Sequence, residues 1–444
     1  MNFDARYLHD RLLENEAVAG KPRRFIVAFS GGLDSTVLLH AMAANKAICE
    51  VPLLAAHVDH GLHPQSGDWD SQCRAAAETR GVEYLSRKVH VSRSSAGGPE
   101  AAAREARYAV LGSLMQQNDW LISAHHEHDQ AETLLLNLLR GSGFTGIAGI
   151  APVREFATGY LVRPMLGVPV AEIRAYADTH RLSWIDDPSN ADTAFDRNYL
   201  RREILPALAA RWPAVASRLR QSADLAAESS ELLAEFADLD IAASPAPDRL
   251  DIRVLTGLSR ARQRNIIRRA VQRVGLPAPP ATRLYQAVHE LIPARTDAQP
   301  LVAWPGGEFR RYQDHLYILA PMPDLQPCPE DLLRPDLTMD LGAGQGCLVL
   351  QAGKDGGIDP SVASKGLEIR YRRGGEEIAL PGQAHRHKLK KLLQDEGVVP
   401  WMRERVPLLY AGERLAAVAD LWVAAEFTAR DGHAVRWLDR PALY

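Results

Sequence analysis

The first 140 residues alternate between short apolar runs and longer amphipathic ones. FIVAF (25–29) is apolar, β-branched and aromatic, and it leads into Ser-Gly-Gly. DSTVLLHAMAA (34–44) then carries helical spacing at Val37, Leu38, Ala41 and Met42. PLLAAHV (52–58) reads as a second buried strand, WDSQCRAAAETRG (69–81) as a helix stopped by Gly81, and VEYLSRKV (82–89) as a weaker edge strand. A long helix over AAAREARYAVLGSLMQQN (101–118), the strand WLISA (120–124) and the helix HDQAETLLLNLLRG (128–141) complete the series. Short strands buried on both faces between helices imply an α/β fold with a doubly wound parallel sheet. This domain is placed at 1–215.

The pattern then changes. Residues 216–242 read as one long helix, followed by the Pro-rich break ASPAPDR (243–249). LTGLSRARQRNIIRRAVQRVG (255–275) is amphipathic, with Ile266, Ala270 and Val274 on one side and arginines on the other. Residues 216–320 therefore read as a mostly helical second domain. The stretch 321–360 is rich in Pro and Gly, and reads as a linker or irregular region. The last part, 361–444, reads as a small α+β C-terminal domain with a basic helix, HRHKLKKLLQDEG (385–397), and short strands such as RLAAVADLWVA.

Composition narrows the class. The chain has 444 residues, 46% hydrophobic and 24% charged, which is ordinary for a globular protein able to bury cores without staples. Cys49, Cys73, Cys328 and Cys347 lie far apart with no CxxC pair, so neither a disulfide scaffold nor a zinc-ribbon or iron–sulfur signature is present. The N-terminal stretch is charged throughout and no run of 18 apolar residues occurs, so no secretory signal or membrane span is expected, and a cytoplasmic location follows. A net charge of −3 argues against a uniformly basic nucleic-acid binder. The average hides two blocks, however. Residues 228–251 carry seven acids against Arg249, and 256–295 carry eight arginines against Glu290.

The chemistry begins at SGGLDS (30–35), between a strand and a helix. Gly31 and Gly32 let the backbone approach a ligand closely. The following helix N-terminus offers free N–H groups and a positive dipole end, and Ser30 and Ser35 add hydroxyls. Leu33 and Asp34 complete the loop. A phosphate or pyrophosphate fits; the alternative is a plain turn with Asp34 as the helix N-cap. GxxxxGK[ST] is absent, so this is not a Walker A loop.

SGGLDS resembles the signature of the PP-loop ATP pyrophosphatases, with an adenine nucleotide alpha hydrolase-like fold. HVDHGLHP (57–64), EAAAREARY (100–108), AHHEHDQAETLLLNLLRGSG (124–143) and WIDDPSN…DRNYLR (184–201) are similar to one branch, the tRNA(Ile)-lysidine synthetases. The basic run 384–391 and PLLYAGE (407–413) resemble that family's C-terminal domain. Two positions depart from the family pattern: His128, where an apolar or acidic residue is expected, and Ala384, where glycine is expected. The resemblance implies a ligase that uses ATP and Mg2+ to adenylate C2 of the wobble cytidine in the minor isoleucine tRNA, whose anticodon is CAU. Free L-lysine then displaces AMP to give lysidine, changing codon reading from AUG to AUA.

Within that reading, Ser30, Gly31, Gly32, Leu33, Asp34, Ser35, His57 and Asp59 are the expected ATP contacts. Asp59 could instead be a metal ligand or cap its own loop. Asp129 and Glu132, at i and i+3, share a helix face and could recognise the lysine ammonium, accept its proton or hold Mg2+, or merely favour the helix dipole. Asp34 and Asp129 are the expected metal ligands, and His126, which opens the same helix as Asp129, is an expected catalytic residue. Arg104 and Arg107 could clamp phosphate or carboxylate, or pair with Glu100 or Glu105. Arg197, Asn198, Arg201 and Arg202 follow the DPSN loop and are expected near tRNA. So are Arg264, Arg268 and Arg269, and the cluster Arg386, Lys388, Lys390 and Lys391. Two other readings remain: a tRNA thiolase on the same loop, which generally needs suitably spaced cysteines, and a non-catalytic tRNA-binding protein with a relict nucleotide fold. No protein partner is implied.

Overall fold

The computed structural model describes residues 3–45, 48–61, 66–89, 98–295, 298–342, 344–353, 356–383 and 385–443. The chain divides into two compact units, Met1–Leu233 and Ala234–Tyr444.

In the first unit β1 (Arg24–Ala28), β2 (Leu53–Asp59), β3 (Glu83–Lys88), β4 (Asp119–Ile122), β5 (Val153–Phe156) and β6 (Gly159–Val162) share one sheet. Their order is β3-β2-β1-β4-β6-β5, and every pairing is parallel except β5 with β6. The helices are α1 (Ala5–Ala19), α2 (Leu33–Ala44), α3 (Ser66–Glu78), α4 (Gly98–Ser113), α5 (Glu127–Leu139), the single turn α6 (Phe144–Ile147) and α7 (Val170–Thr179). Alternation along β1 serves two cores. Phe25, Val27 and Phe29 pack with Leu8 of α1, Leu38 of α2, Ala77 of α3 and Ile173 of α7. Ile26 packs on the other face with Leu54, Leu121, Leu161 and Leu111 of α4. Each such buried side chain contributes about 1.5–3 kcal/mol. The doubly wound sheet read from the sequence is thus present, with β3 at its edge.

The chain leaves β1 toward β2 and β3 and returns to place β4 on the opposite side of β1. The switch point between β1 and β4 opens at their carboxyl ends, where ligands bind in open α/β sheets. SGGLDS follows β1, and the segment 124–130 follows β4.

Residues 196–211 form a continuous helical stretch whose middle turn, Leu200–Ile204, is a π-turn. The helix Val215–Ile241 follows, matching the one read at 216–242.

The second unit takes in the end of that helix and then helices Ile252–Gly257, Arg260–Val274 and Ala281–Gln286. They pack on a four-stranded antiparallel sheet that helical periodicity does not announce: Arg249–Asp251, His315–Leu319, Gly307–Tyr312 and Leu301–Trp304, in that order. Ile266, Ile267 and Ala270 of one helix meet Phe309, Leu316 and Ile318 of the sheet. The stretch read as irregular at 321–360 contributes Thr338–Asp340, Cys347–Ala352 and Gly357–Ile358 to a five-stranded sheet that also contains His433–Leu438. The basic run is not one helix either. Arg386–Lys388 is a strand paired with Glu377–Ala379, and the helix spans Leu389–Asp395. Ala384 lies outside the described residues, as do Leu62, His63 and Pro64 of HVDHGLHP. Among the described residues no helix is long and apolar enough to cross a membrane.

Candidate active site

The loop after β1 is built for an anion. Gly31 has φ of +82°, and a Cβ there would come within 2.6 Å of both Cys73 Sγ and Ile185 Cδ1. The backbone angle and the crowding each demand glycine. Gly32, rather than Asp34, occupies the N-cap of α2, and no side chain accepts a cap bond there. The loop carbonyls are turned inward: Gly31 O accepts from Ile185 N at 2.9 Å and from Thr36 Oγ1 at 3.2 Å, and Gly32 O accepts from Ser35 Oγ at 3.1 Å. The first-turn N–H groups of α2 have no intrahelical acceptor and, with the helix dipole, offer an anion cradle. Ser30 and Ser35 flank it, their hydroxyls 3.1 Å apart. Beside the loop is a cavity of about 350 Å³ lined by Phe29, Gly31, Cys73, Trp184 and Ile185 among others. Two sequence motifs therefore meet here, because WIDDPSN supplies the wall of the SGGLDS loop.

Across the switch point, α5 opens with a capping box. His126 is the N-cap; its Nδ1 accepts from His128 N at 3.2 Å, and Asp129 Oδ2 accepts from His126 N at 2.9 Å. With Nδ1 accepting, the ring proton sits on Nε2, which lies 3.4 Å from Asp129 Oδ2 and 3.6 Å from Asp34 Oδ2. Burial works against the His126 imidazolium, but Asp129 and Asp34 outweigh it and raise the pKa. Burial likewise works against the Asp129 carboxylate, yet His126, His125 and Arg201 hold it below its ordinary range. Asp34 and Asp129 thus present hard oxygens on either side of one ring edge. Mg2+ is commonly held by one or two carboxylates plus substrate phosphates, and this donor set fits it. Among the described residues no group of three or more His, Cys, Asp or Glu forms a metal site, so phosphate and water would supply the other ligands.

Asp129 and Glu132 share a helix face as their spacing requires, and Arg201 grips both. Its Nε donates to Glu132 Oε1 at 2.6 Å, and its terminal nitrogen to Glu132 Oε2 at 3.0 Å and to Asp129 Oδ1 at 3.2 Å. The Glu132 side chain is fully buried, and burial raises its pKa despite Arg201. Arg201 sits on the π-turn, a wider turn than its neighbours and a frequent mark of functional sites. The family resemblance implies a place near tRNA for Arg201. Its grip on residues 69 and 72 positions away comes only from the fold.

The remaining sequence candidates divide. His57 is buried at the end of β2 and donates from Nδ1 to Phe29 O at 2.9 Å. Asp59 is buried and accepts from Gly61 N at 2.8 Å, the loop-capping contact. Arg107 donates from Nε to His60 Nε2 at 3.2 Å. Burial, then Arg107, pushes His60 down to about 4. Arg104 lies over the Tyr108 ring at 5.1 Å. Among the described residues neither arginine has an ion-pair partner; the Glu100 side chain lies outside them. Arg197 donates to Thr133 Oγ1 at 3.4 Å, Asn198 to Asp192 O at 2.9 Å, and Arg202 is exposed.

Two residues escaped the sequence reading. Buried Arg163 follows β6, donates to Ala151 O at 2.5 Å and is lowered to about 10, first by burial. Gln130 holds the turn after α6 through Ile150 N at 2.7 Å and two carbonyls. Gln130 lies within the stretch 124–143, and no local motif marks Arg163.

In the second unit the arginines are not equivalent. Arg269 pairs bidentately with Asp238 at 2.8 Å, and Arg262 and Arg273 also bond Asp240 and Asp238. Arg264 and Arg268 have no ion-pair partner among the described residues, and Arg386, Lys388, Lys390 and Lys391 are exposed.

Comparison with known proteins agrees along most of the chain. Family models match as a PP-loop domain over residues 5–208, a TilS substrate binding domain over 250–317 and a TilS substrate C-terminal domain over 367–437. The tRNA(Ile)-lysidine synthase of Alkalilimnicola ehrlichii is 45% identical, covering 96% of this chain and 95% of its own. Those of Methylococcus capsulatus and Coxiella burnetii are 40% and 34% identical, covering 90% and 95% of this chain and 92% and 94% of theirs. Among solved structures, the U34-tRNA thiolase NcsA of Methanococcus maripaludis aligns with 49% of this chain and 78% of its own at 16% identity and a TM-score of 0.40, too slight a likeness to weigh further.

Proposed function

The chain belongs to the tRNA(Ile)-lysidine synthase family, and from that premise we propose how its own residues ligate lysine to a tRNA cytidine. It is a ligase that forms a C–N bond on tRNA and uses ATP. The finer reading is that the tRNA is the minor isoleucine species with anticodon CAU, that free L-lysine is the amine, and that the cytoplasm is the location. The observation that carries the mechanism is the meeting of the SGGLDS cradle and the α5 carboxylates at one switch point, with His126 Nε2 within 3.6 Å of Asp34 and Asp129.

The cradle formed by Ser30, Gly31, Gly32, Leu33 and Ser35 takes the pyrophosphate end of ATP. The apolar cavity beside Gly31 suits adenine. Asp34 and Asp129 would hold Mg2+, which when bound neutralises phosphate charge and orients the α-phosphate. The cytidine O2 forms a bond to the α-phosphorus as pyrophosphate leaves. The lysine ε-amine then forms the bond to C2, the C2–O bond breaks with AMP as the leaving group, and the amine gives up a proton. That amine has an ordinary pKa of about 10.4 and arrives protonated, so it needs anionic neighbours and a proton acceptor. Glu132, whose pKa burial raises despite Arg201, is the carboxylate suited to take the proton, and Asp129 adds negative charge beside it. Burial, together with Arg163, Arg104 and Arg197, pushes His125 down to about 3 despite Asp129, which leaves it neutral and too weak a base for that step. Arg201 holds Asp129 and Glu132 in register, and Arg104 and Arg107 offer guanidinium donors to an incoming carboxylate or phosphate. Arg197, Asn198 and Arg202 lie next along the chain for tRNA contact, with Arg264, Arg268, Arg386, Lys388, Lys390 and Lys391 reaching phosphates elsewhere. Arg269 contributes only where a phosphate displaces Asp238. A thiolase mechanism is disfavoured because Cys49, Cys73, Cys328 and Cys347 include no suitably spaced pair, and burial holds the Cys73 thiol protonated.

The test is an assay with ATP, labelled lysine and tRNA transcripts. Incorporation into the CAU isoleucine tRNA with stoichiometric AMP is expected. An adenylated tRNA should form without lysine. Sulfur transfer, or tRNA binding without AMP, would overturn the reading.

A further inference from the structure

The helix Arg260–Val274 carries two stripes of arginine. Arg262, Arg269 and Arg273 fall within about 40° of one another on a helical projection at roughly 100° per residue. All three are bonded to Asp238 or Asp240. Arg260, Arg264 and Arg268, at i, i+4 and i+8, lie on another side and have no acid partner among the described residues. One stripe is thus neutralised within the unit and the other is not.

The second stripe borders an unusual pair of rings. The helix Ala281–Gln286 continues through a π-turn over Ala287–Leu291. Tyr285 and His289 stack on it with centroids 3.9 Å apart and planes 18° from parallel. Arg260 reaches His289 Nε2 at 2.8 Å. Tyr285 is 57% exposed and belongs to no core. With Arg283 and Gln286 it lines an open depression of about 700 Å³. Among the described residues Glu290 is the one acid lining that depression.

We propose that the Tyr285–His289 stack is a platform for one unpaired base of tRNA, with Arg260, Arg264, Arg268 and Arg283 on the flanking phosphates. This rests on the reading of the chain as a tRNA-modifying enzyme. An exposed ring beside unneutralised guanidiniums calls for a polyanion that also has a free π-face. Unpaired RNA has both, because every base stacks on an aromatic ring whatever its sequence, and guanidinium forks match phosphate. A duplex offers its bases no such free face. A neutral or basic protein surface would leave the arginine stripe unmatched.

The experiment uses the full chain and a tRNA transcript, with Kd measured across a salt series. Tyr285→Ala should weaken binding about tenfold at every salt concentration and leave the salt slope unchanged, whereas Tyr285→Phe should keep wild-type affinity. Arg260→Ala with Arg264→Ala should instead flatten the slope by about two units. Thermal melts of each variant show that it is folded. Wild-type affinity in Tyr285→Ala, or equal losses in the Ala and Phe variants, overturns the platform. If those results come from a chain that still ligates lysine to tRNA, the function stands and the platform alone falls. If the unsubstituted chain binds no tRNA, both fall.

Discussion

Asp34 and Asp129 face the same imidazole, yet their substitution should have different signatures. The Asp34 side chain is 40% exposed and makes no cap bond. Asp34→Asn should cut AMP formation by about 100- to 1,000-fold and leave stability unchanged. Asp129 also accepts from His126 N and pairs with Arg201. Asp129→Ala should therefore lose activity and also about 1–3 kcal/mol of stability. Pyrophosphate release and urea unfolding, run side by side, separate the two; equal stabilities would remove the capping argument. His60 gives a pH test. Burial and Arg107 depress it from 6.5 to about 4, so the unfolded chain takes up the proton first as pH falls. Stability should then decline between pH 6.5 and 4 and be unaffected above that window. His60→Gln should flatten this limb by about 1 kcal/mol at pH 5, a figure discounted for partial solvent screening, as read by urea unfolding at pH 7 and pH 5. The sequence made Asp34, Asp129 and Glu132 legible because short motifs fix them. The grip of Arg201 on Asp129 and Glu132, the buried Arg163 and the Cys73–Ile185 wall around Gly31 were not, since each arrives through packing between segments far apart in the chain.

At the scale of elements, the turn between β1 and α2 tolerates little. Gly31→Ala must place a Cβ at φ +82° and within 2.6 Å of two side chains. Strain of about 1–3 kcal/mol is expected, with loss of ATP turnover. Adding Cys73→Ala should restore only part of the stability, because the backbone angle and Ile185 remain. Melting temperature and pyrophosphate release on the single and double variants check this. Elements marked by an unbroken apolar run or by a helical period were readable: β1, α2, β2, β4 and α5 begin within about two residues of the expected positions. The second unit's sheet was not, because strands of three to six residues carry too little alternation to outweigh the arginine-rich helix between them. Arg386 and Lys388 fell into a helix reading for the same reason, since their three-residue strand is defined by its partner Glu377–Ala379.

At the scale of the whole molecule, the charge blocks were legible as totals but not as pairings. Changing Lys388, Lys390 and Lys391 together to Ala should lower the salt slope of tRNA binding by about two to three units. Changing Arg262, Arg269 and Arg273 should leave that slope alone and lower the melting temperature instead, because these guanidiniums are spent on Asp238 and Asp240. Binding isotherms at several salt concentrations and thermal melts distinguish the two triples; identical behaviour would mean that local pairing does not govern which arginines meet RNA. The strand order has a further consequence, in time rather than space. β1 borders β4 through Arg24 and Asp119, which are 95 residues apart. At roughly 5–20 residues per second of synthesis, β4 emerges about 5–20 s after β1. Throughout that interval one edge of β1 is unpaired and the phosphate loop lacks its opposite wall. A nascent chain therefore lacks the nucleotide site, and until Ile185 arrives it also lacks the wall of the SGGLDS turn; meanwhile it carries an open strand edge of the kind that invites mispairing until β4 closes it.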